Sequence, residues 1–372
     1  MAETFDETIT HSYGSRIKNS FGGIIFGLLL LIGSSILLWW NEDRTLTQAN
    51  ALEEGLAKTV TLATPTVNSA NDHALIYTTG TLTGDELRDP TFGINVDAVV
   101  LERRVTMYQY QEHVSESEKQ EVGGSVRVTK HYSYDKTWSS SPINSSRFKE
   151  AGDHYNPPFA YNAQHFNAQH PTLGDFSLSS SIINRAEGFE RLHVEASTLQ
   201  NTSISDGDIY IGKDPQNPKI GDMKISYNYL PSHNTYSVIA AQLGSTLDLY
   251  TTSQGAQIAF LKAGVHTPQA IFAQAQSENN FMAWLLRAVG LLLMFIGFMM
   301  ILGPLQILAS IIPFLGSIVG VGSSLIALLL TLLLGGSIIV ISWFAQRPLL
   351  TAGLIALVIG LIFLMRQRAR RV

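Results

Sequence analysis

Between Arg287 and Arg347 the chain carries no Asp, Glu, Lys, Arg or His. A soluble fold would have to surround that run with apolar partners on every side, and a chain of 372 residues cannot build such a core. The run reads as several membrane-spanning helices, each needing about 20 apolar residues to cross roughly 30 Å of hydrocarbon. A second apolar stretch, residues 21–40, lies near the other end. Membrane therefore brackets the mostly polar residues 41–282, and topology constrains whatever chemistry the chain performs.

The overall composition, 45% hydrophobic, averages two regimes: a middle rich in Asn, Ser, Thr, His and Tyr, and two apolar ends. The net charge of −5 is mild and dispersed, so no basic face points to a nucleic-acid partner. There are no cysteines. That excludes disulfide scaffolds, Cys-ligated zinc, iron–sulfur clusters and thiol catalysis.

The first apolar stretch has the positive flank of a signal peptide in Arg16 and Lys18. Its apolar part is too long, about 19 residues against the usual 7–15, and no small-x-small cleavage site precedes Trp39-Trp40. That Trp pair suits the interfacial belt of an uncleaved anchor. Arg16 and Lys18 before the first span, and Arg366, Arg368, Arg370 and Arg371 after the last, place both termini in the cytoplasm by the positive-inside rule. The number of crossings is then even.

The expected fold class is a multi-pass α-helical membrane protein. It has four transmembrane helices and a large α+β, strand-rich extracytoplasmic domain between helices 1 and 2. Residues 1–20 form a cytoplasmic tail and residues 21–40 the first span. Asn41-Glu42-Asp43-Arg44-Thr45 marks the exit into water, and residues 46–59 suit an amphipathic helix just outside. The outer domain occupies 41–282. Thr267 and Pro268, as N-cap and first helical residue, start a helix leading into the second span. That span covers 283–302 and is broken by Gly303-Pro304. Residues 303–319, apolar but short and carrying Pro313 and Gly316, read as an interfacial or half-inserted segment on the cytoplasmic side. Residues 320–344 and 349–365 are the third and fourth spans, and 366–372 a basic cytoplasmic tail.

Within the outer domain, period-two and β-branched patterns predict strands at 73–83, 99–113, 126–138, 176–183, 208–211, 223–230, 236–243 and 246–251. The polar stretch 115–124, ending in a Gly pair, predicts a long hairpin. Asn156-Pro157-Pro158, Ser205-Asp206-Gly207, Asp214-Pro215 and Pro231-Ser232 mark turns. A helical piece is expected at 185–199.

Ten histidines invite a metal hypothesis, densest at His154, His165 and His170 with Asp153 and Asp175 nearby. His165 and His170 recur five apart, which does not set two rings on one helical face, and no H-E-x-x-H is present. Surface or hydrogen-bonded histidines are the expectation, with no metal. No G-x-S-x-G, G-x-G-x-x-G or Walker motif appears. Glu42-Asp43 and Glu53-Glu54 read as solvated flank charges, because helix neighbours one apart diverge. No catalytic residue and no cofactor is assigned. The apolar block lacks the intramembrane charges of pumps. Its polar residues Ser323, Ser324, Thr331 and Ser337 suggest a pore lining. The competing reading is helix packing through Gly316 and Gly320, a G-x-x-x-G, and Gly335-Gly336. Asn144-Ser145-Ser146 and Asn201-Thr202-Ser203 are sequons of chance frequency.

These stretches together resemble the transmembrane protein 43 family, also called LUMA. The resemblance rests on Asn41-Glu42-Asp43-Arg44, Leu52-Glu53-Glu54-Gly55-Leu56 and Asp89-Pro90-Thr91-Phe92-Gly93. It continues through residues 101–111, 132–138, Ile143-Asn144-Ser145, residues 174–183, Asn217-Pro218, residues 221–227 and Arg347-Pro348-Leu349. It implies a four-helix membrane protein with a large outer domain. Eukaryotic members look like organisers of the endoplasmic reticulum and inner nuclear membrane that self-associate and bind other membrane proteins, and a channel role has been suggested. The lack of Cys and the short tails suggest a bacterial member, in an inner membrane with a periplasmic domain.

The expectation is a non-enzymatic scaffold in the lipid bilayer, a homo-oligomer through its Gly-rich helices, binding other membrane proteins through its outer domain. An ion-conducting pore and a membrane-tethered hydrolase using His154, His165, His170 and Asp175 are the alternatives.

Overall fold

The computed structural model describes residues 4–200 and 202–345. The chain opens with Thr4–His11 (β1), Tyr13–Lys58 (α1), Val60–Thr61 (β2), Leu75–Thr83 (β3) and Asp85–Asp89 (β4). Next come Ile94–Gln120 (β5), Val126–Ser139 (β6), Gln164–Asn167 (β7), Thr172–Leu173 (β8), Phe176–Leu178 (β9), Ser180–Ile183 (α2) and Glu190–Leu192 (β10). Thr202–Ser205 (β11), Asp208–Ile211 (β12), Met223–Pro231 (β13), Thr235–Leu243 (β14), Thr246–Asp248 (β15) and Tyr250–Thr251 (β16) follow. Gln257–Ile258 (β17), Phe260–Ala263 (β18), Pro268–Ala309 (α3) and Pro313–Ala345 (α4) complete it. The expected fourth span, 349–365, the tail 366–372 and Asn201 of the second sequon lie outside the described residues.

The chain divides into two units. The first joins residues 1–7, 51–116 and 130–274, and the second joins 8–50, 117–129 and 275–372. The expected outer domain 41–282 is therefore not one block. Its first ten residues, its last eight and the tip of the β5–β6 hairpin group with the long helices.

The first unit is built on two large sheets and a two-stranded one, β16–β17. In one, the order is β1-β6-β5-β13-β12-β11, with β10 on β13 and β4 and β7 on β5. β5 and β13 pair antiparallel from Met107–Met223 to Leu101–Tyr229. Leu101, Val105, Met107, Ile225 and Tyr227 are buried on this sheet, packed with Phe92 and Ile209. In the second sheet the pairings β14–β15, β15–β9, β9–β8, β8–β3 and β3–β14 close on themselves, forming a small barrel that leaves fewer open edges. Its interior collects Ile76, Leu82, Leu173, Phe176, Val238 and Leu247.

Several expectations change on folding. Residues 4–11, expected as part of a tail, form an edge strand on β6, held where Glu7 receives Lys149 Nζ at 2.8 Å and Tyr132 OH at 3.1 Å. The expected helix at 185–199 does not form. Gly188 adopts φ +103°, which ends any helical run, and Val194 N–H turns to the Gly207 carbonyl at 2.9 Å. The strand at 176–183 stops at Leu178, because Ser179 caps the helical turn α2 through its hydroxyl.

The second unit holds three helices long and apolar enough to cross a membrane. α1 runs unbroken for 46 residues, so the first span and the helix expected at 46–59 are one helix, continuous through Asn41-Glu42-Asp43-Arg44-Thr45. None of these residues is Gly or Pro, and three of them bond to α3. Nor does Gly303-Pro304 end α3, which continues to Ala309 with Pro304 inside it. A proline is tolerated in such a helix where neighbouring helices and side chains satisfy the carbonyl it leaves free. The chain turns instead at residues 310–312, and Pro313, whose missing N–H suits a helix start, opens α4. Thr267 caps α3 as expected, accepting from Ala270 N–H at 3.3 Å. The segment 303–319 is thus the end of α3 and the start of α4.

Candidate functional site

One set of charged and carboxamide groups of the second unit bridges α1 and α3 directly, near one end of the pair. The two helices lie antiparallel in one register, with Gly27 opposite Gly297, Asn41 opposite Ala283 and Thr45 opposite Asn279. From Gly27 to Thr45 this covers about 27 Å at a 1.5 Å rise. At Gly27 the backbones touch: a Cβ there would stand 2.7 Å from the Gly297 carbonyl, and one at Gly297 would stand 2.9 Å from that of Gly27. Small residues permit this approach, and it brings the long helices into van der Waals contact along their length.

At the other end the contact becomes polar. Asn41 donates Nδ2–H to the carbonyl of Ala283 at 3.1 Å, and Asn279 donates to that of Thr45 at 3.0 Å. Each asparagine reaches the carbonyl of the residue four beyond the other, so the two bonds are related by an approximate two-fold. Next to them Glu42, 4% exposed, accepts two bonds from Arg287, Nε to Oε1 at 2.6 Å and Nη2 to Oε2 at 2.8 Å. Arg287 also lies over the Trp284 ring, 4.8 Å from its centroid. A guanidinium held in this forked geometry satisfies the charge that burial would otherwise penalise.

Ser342 Oγ donates to the Trp39 carbonyl at 3.5 Å, which brings α4 to the same level. Trp39, Trp40, Trp284 and Trp343 therefore share one end of the bundle, all of them exposed. These are four of the chain's five tryptophans, arranged as an interfacial girdle.

The packing glycines foreseen in the sequence divide. Gly316 faces Ser310, Gly320 faces Gln306 and Gly335 faces Leu291, all within this chain, while nothing approaches Gly336 within 4 Å. The foreseen pore residues divide too. Ser323 and Thr331 are buried, and Ser324 and Ser337 are not. The hydroxyls of Thr331 and Ser324 donate to Ala327 and Val321 of their own helix, both at 2.8 Å. The residues that sequence reasoning missed are Gly27, Gly290, Gly297, Asn41 and Asn279. A signal existed in Gly23 and Gly27, a G-x-x-x-G inside the first span.

In the first unit, the histidines have separate surroundings. His154 is buried, stacked on Tyr134 with centroids 3.7 Å apart and edge-on to Tyr110 at 4.9 Å. His165 stands opposite Glu102 on the β5–β7 ladder, and Asp175 N–H bonds to the Pro65 carbonyl. Among the described residues no three His, Asp or Glu side chains form a group that could hold a metal.

The strongest titratable cluster of this unit is Asp89, Arg103 and Tyr227, all buried. Asp89 Oδ2 accepts from Arg103 Nη1 and from Tyr227 OH, each at 2.7 Å, and its Oδ1 accepts from Thr91 N–H at 3.0 Å. Arg103 donates further to the Asn162 carbonyl and to Gln164 Oε1, at 3.0 and 2.9 Å. Burial and the adjoining carboxylate push the Tyr227 phenol well above its ordinary range. This network joins β4, β5, β13 and the β7 segment, and its donors are engaged with protein acceptors.

A bundle of apolar helices with a tryptophan girdle, joined in sequence to a large strand-rich part, defines an integral membrane protein. The sequence profile described as Transmembrane protein 43 matches residues 107–348. The chain is 32% identical over 361 residues to mouse transmembrane protein 43, covering 92% of this chain and 90% of the relative. It is 31% identical to the human protein, covering 91% and 89%, and 25% identical to the Drosophila melanogaster homologue, covering 92% and 94%. No solved structure matches. The chain belongs to the transmembrane protein 43 family.

Proposed function

We propose that this chain is a non-enzymatic membrane scaffold that self-associates and presents its strand-rich unit to other membrane proteins. The observation that carries the reading is the use of its buried charge. Glu42 with Arg287, and Asp89 with Arg103 and Tyr227, are bonded to one another and hold elements together. Catalytic groups are arranged the other way, with a base or nucleophile left facing a cleft. In this reading Arg16 and Lys18 mark the cytoplasmic end of the bundle and the tryptophan girdle its opposite end.

Self-association through Gly316, Gly320 and Gly335 is not part of the proposal, since these face α3 and the turn before α4 of the same chain. The pore alternative would need Ser323, Ser324, Thr331 and Ser337 along one water-filled axis, whereas Ser323 and Thr331 are buried within this chain. A hydrolase on His154 is disfavoured by its place between Tyr110 and Tyr134.

The test is the mass of the full chain in detergent or nanodiscs, followed by bilayer recording of the same sample. The scaffold reading expects a discrete assembly that is electrically silent. A monomer at every protein-to-lipid ratio, or an ion-selective conductance, would contradict it.

A further inference from the structure

Arg44 lies on α1 beside the tryptophan girdle, and its guanidinium is not bonded as its neighbours are. Its Nε and Nη2 are buried and meet no acceptor of the protein. Glu42, two residues before it, is already held in the fork of Arg287. A buried guanidinium without an acceptor is costly, because it has given up water and gained nothing in exchange. Arg44 therefore points to an acceptor from outside the chain.

The surface next to it has the chemistry of a lipid seat. Ser35, Ile36, Trp39, Trp40 and Asp43 of α1 and Ile338 of α4 line a cavity of about 390 Å³. Residues three and four apart share a helix face, which puts Ile36, Trp40, Asp43 and Arg44 on one stripe of α1. A helical side chain covers the turn before its own Cα, so Arg44 leans toward Trp40. Away from the girdle the same stripe continues as Ile32, Leu29 and Ile25, each more than half exposed. From Ile25 to Ile36 is about 16 Å at a 1.5 Å rise, close to the roughly 15 Å of hydrocarbon in one leaflet. No charged residue lies between Lys18 and Glu42, so nothing along the stripe opposes an acyl chain.

We infer that this face seats one zwitterionic glycerophospholipid, with its phosphate on Arg44, its ammonium among Asp43, Trp39 and Trp40, and an acyl chain along the stripe to Ile25. The charges select the headgroup. Arg44 and Asp43 are adjacent and opposite in sign, so together they match a phosphate and an ammonium carried by one molecule. A purely anionic headgroup would bring a second negative charge against the exposed Asp43. Indole faces attract an ammonium group, more strongly than other rings and more strongly still where water is excluded. Trp39 and Trp40, 45% and 51% exposed, supply two such faces.

Native mass spectrometry of the full chain in detergent tests this, with phosphatidylethanolamine, phosphatidylcholine and phosphatidylglycerol as probes. The expected result is one zwitterionic lipid held per chain, several-fold more tightly than phosphatidylglycerol. Arg44→Gln removes the phosphate partner and Ser35→Trp fills the cavity, and each should weaken that retention several-fold. Thermal unfolding in lipid-free detergent separates binding from folding. Arg44→Gln should unfold no earlier than the parent there, because it removes a charge that has no partner. Tighter retention of phosphatidylglycerol overturns the inference. So does equal retention of all three lipids, or retention unchanged in both variants. Earlier unfolding of Arg44→Gln in lipid-free detergent also overturns it, since the chain itself would then hold Arg44. None of these outcomes bears on the oligomer mass that tests the scaffold reading.

Discussion

Arg287 on α3 holds Glu42 on α1 by two nearly parallel hydrogen bonds, 2.6 and 2.8 Å long, with its guanidinium over Trp284. The pair sits beside the reciprocal Asn41 and Asn279 bonds. Arg287→Ala would leave a buried carboxylate without its partner. The expected cost is about 3–5 kcal/mol. Glu42→Gln with Arg287→Met should cost less than Arg287→Ala alone, because no unpaired charge remains. Thermal unfolding of the parent, Arg287→Ala, Glu42→Gln, Arg287→Met and the Glu42→Gln/Arg287→Met double in one detergent measures the coupling; additive losses in the last three would show that the two side chains do not act together.

The Gly27–Gly297 approach has no room for a side chain. Gly27→Leu must part α1 from α3, at about 1–3 kcal/mol by the cost of overpacking. Gly336→Ala meets nothing within 4 Å and should be neutral or slightly stabilising, since Ala favours a helix over Gly by up to about 1 kcal/mol. Equal losses in the two variants would remove the distinction.

The Asp89 cluster predicts a graded series in the first unit. Tyr227→Phe deletes one bond to a carboxylate and should cost about 1.5–3 kcal/mol. Arg103→Ala strands Asp89 and should cost about 3–5 kcal/mol. Chemical denaturation of each variant measures the order, and a neutral Arg103→Ala would contradict the network.

Glu54 gives a pH dependence. Its carboxylate is held down to about 2 by Lys58 first and Ser253 next. The ordinary value is 4.5, so the link to Ser253 is complete above that pH and is lost as pH falls toward 2. An NMR titration of the Glu54 side chain should place its midpoint near 2. A midpoint near 4.5 would show that neither partner is engaged in solution.

The membrane helices were legible in the sequence because apolar run length decides them without reference to partners. So were the β5–β6 hairpin and β13, whose alternation of buried and open residues survives in the chain. Helix ends were not. The first span and the helix expected at 46–59 read as two pieces, but Asn41-Glu42-Asp43-Arg44-Thr45 holds no Gly or Pro and continues one helix, with Asn41, Glu42 and Thr45 bonded to α3. Pro304 looked like a stop, but a membrane helix can carry a proline. The Asp89 cluster was half visible. Its three members lie in separate stretches that carried the family resemblance, but nothing local announces that residues 89, 103 and 227 meet.

The measurement that bears most directly on the architecture is intrachain crosslinking of α1 to α3. A Cβ at Gly290 would stand 2.6 Å from Leu38 Cδ2, so Leu38→Cys with Gly290→Cys, in a chain with no other thiol, places two sulfurs in reach. Mild oxidation in membranes should give an intramolecular disulfide, seen as a monomer with altered gel mobility that reverts on reduction. Crosslinking only between copies, or none, would contradict the antiparallel α1–α3 pair on which the account rests.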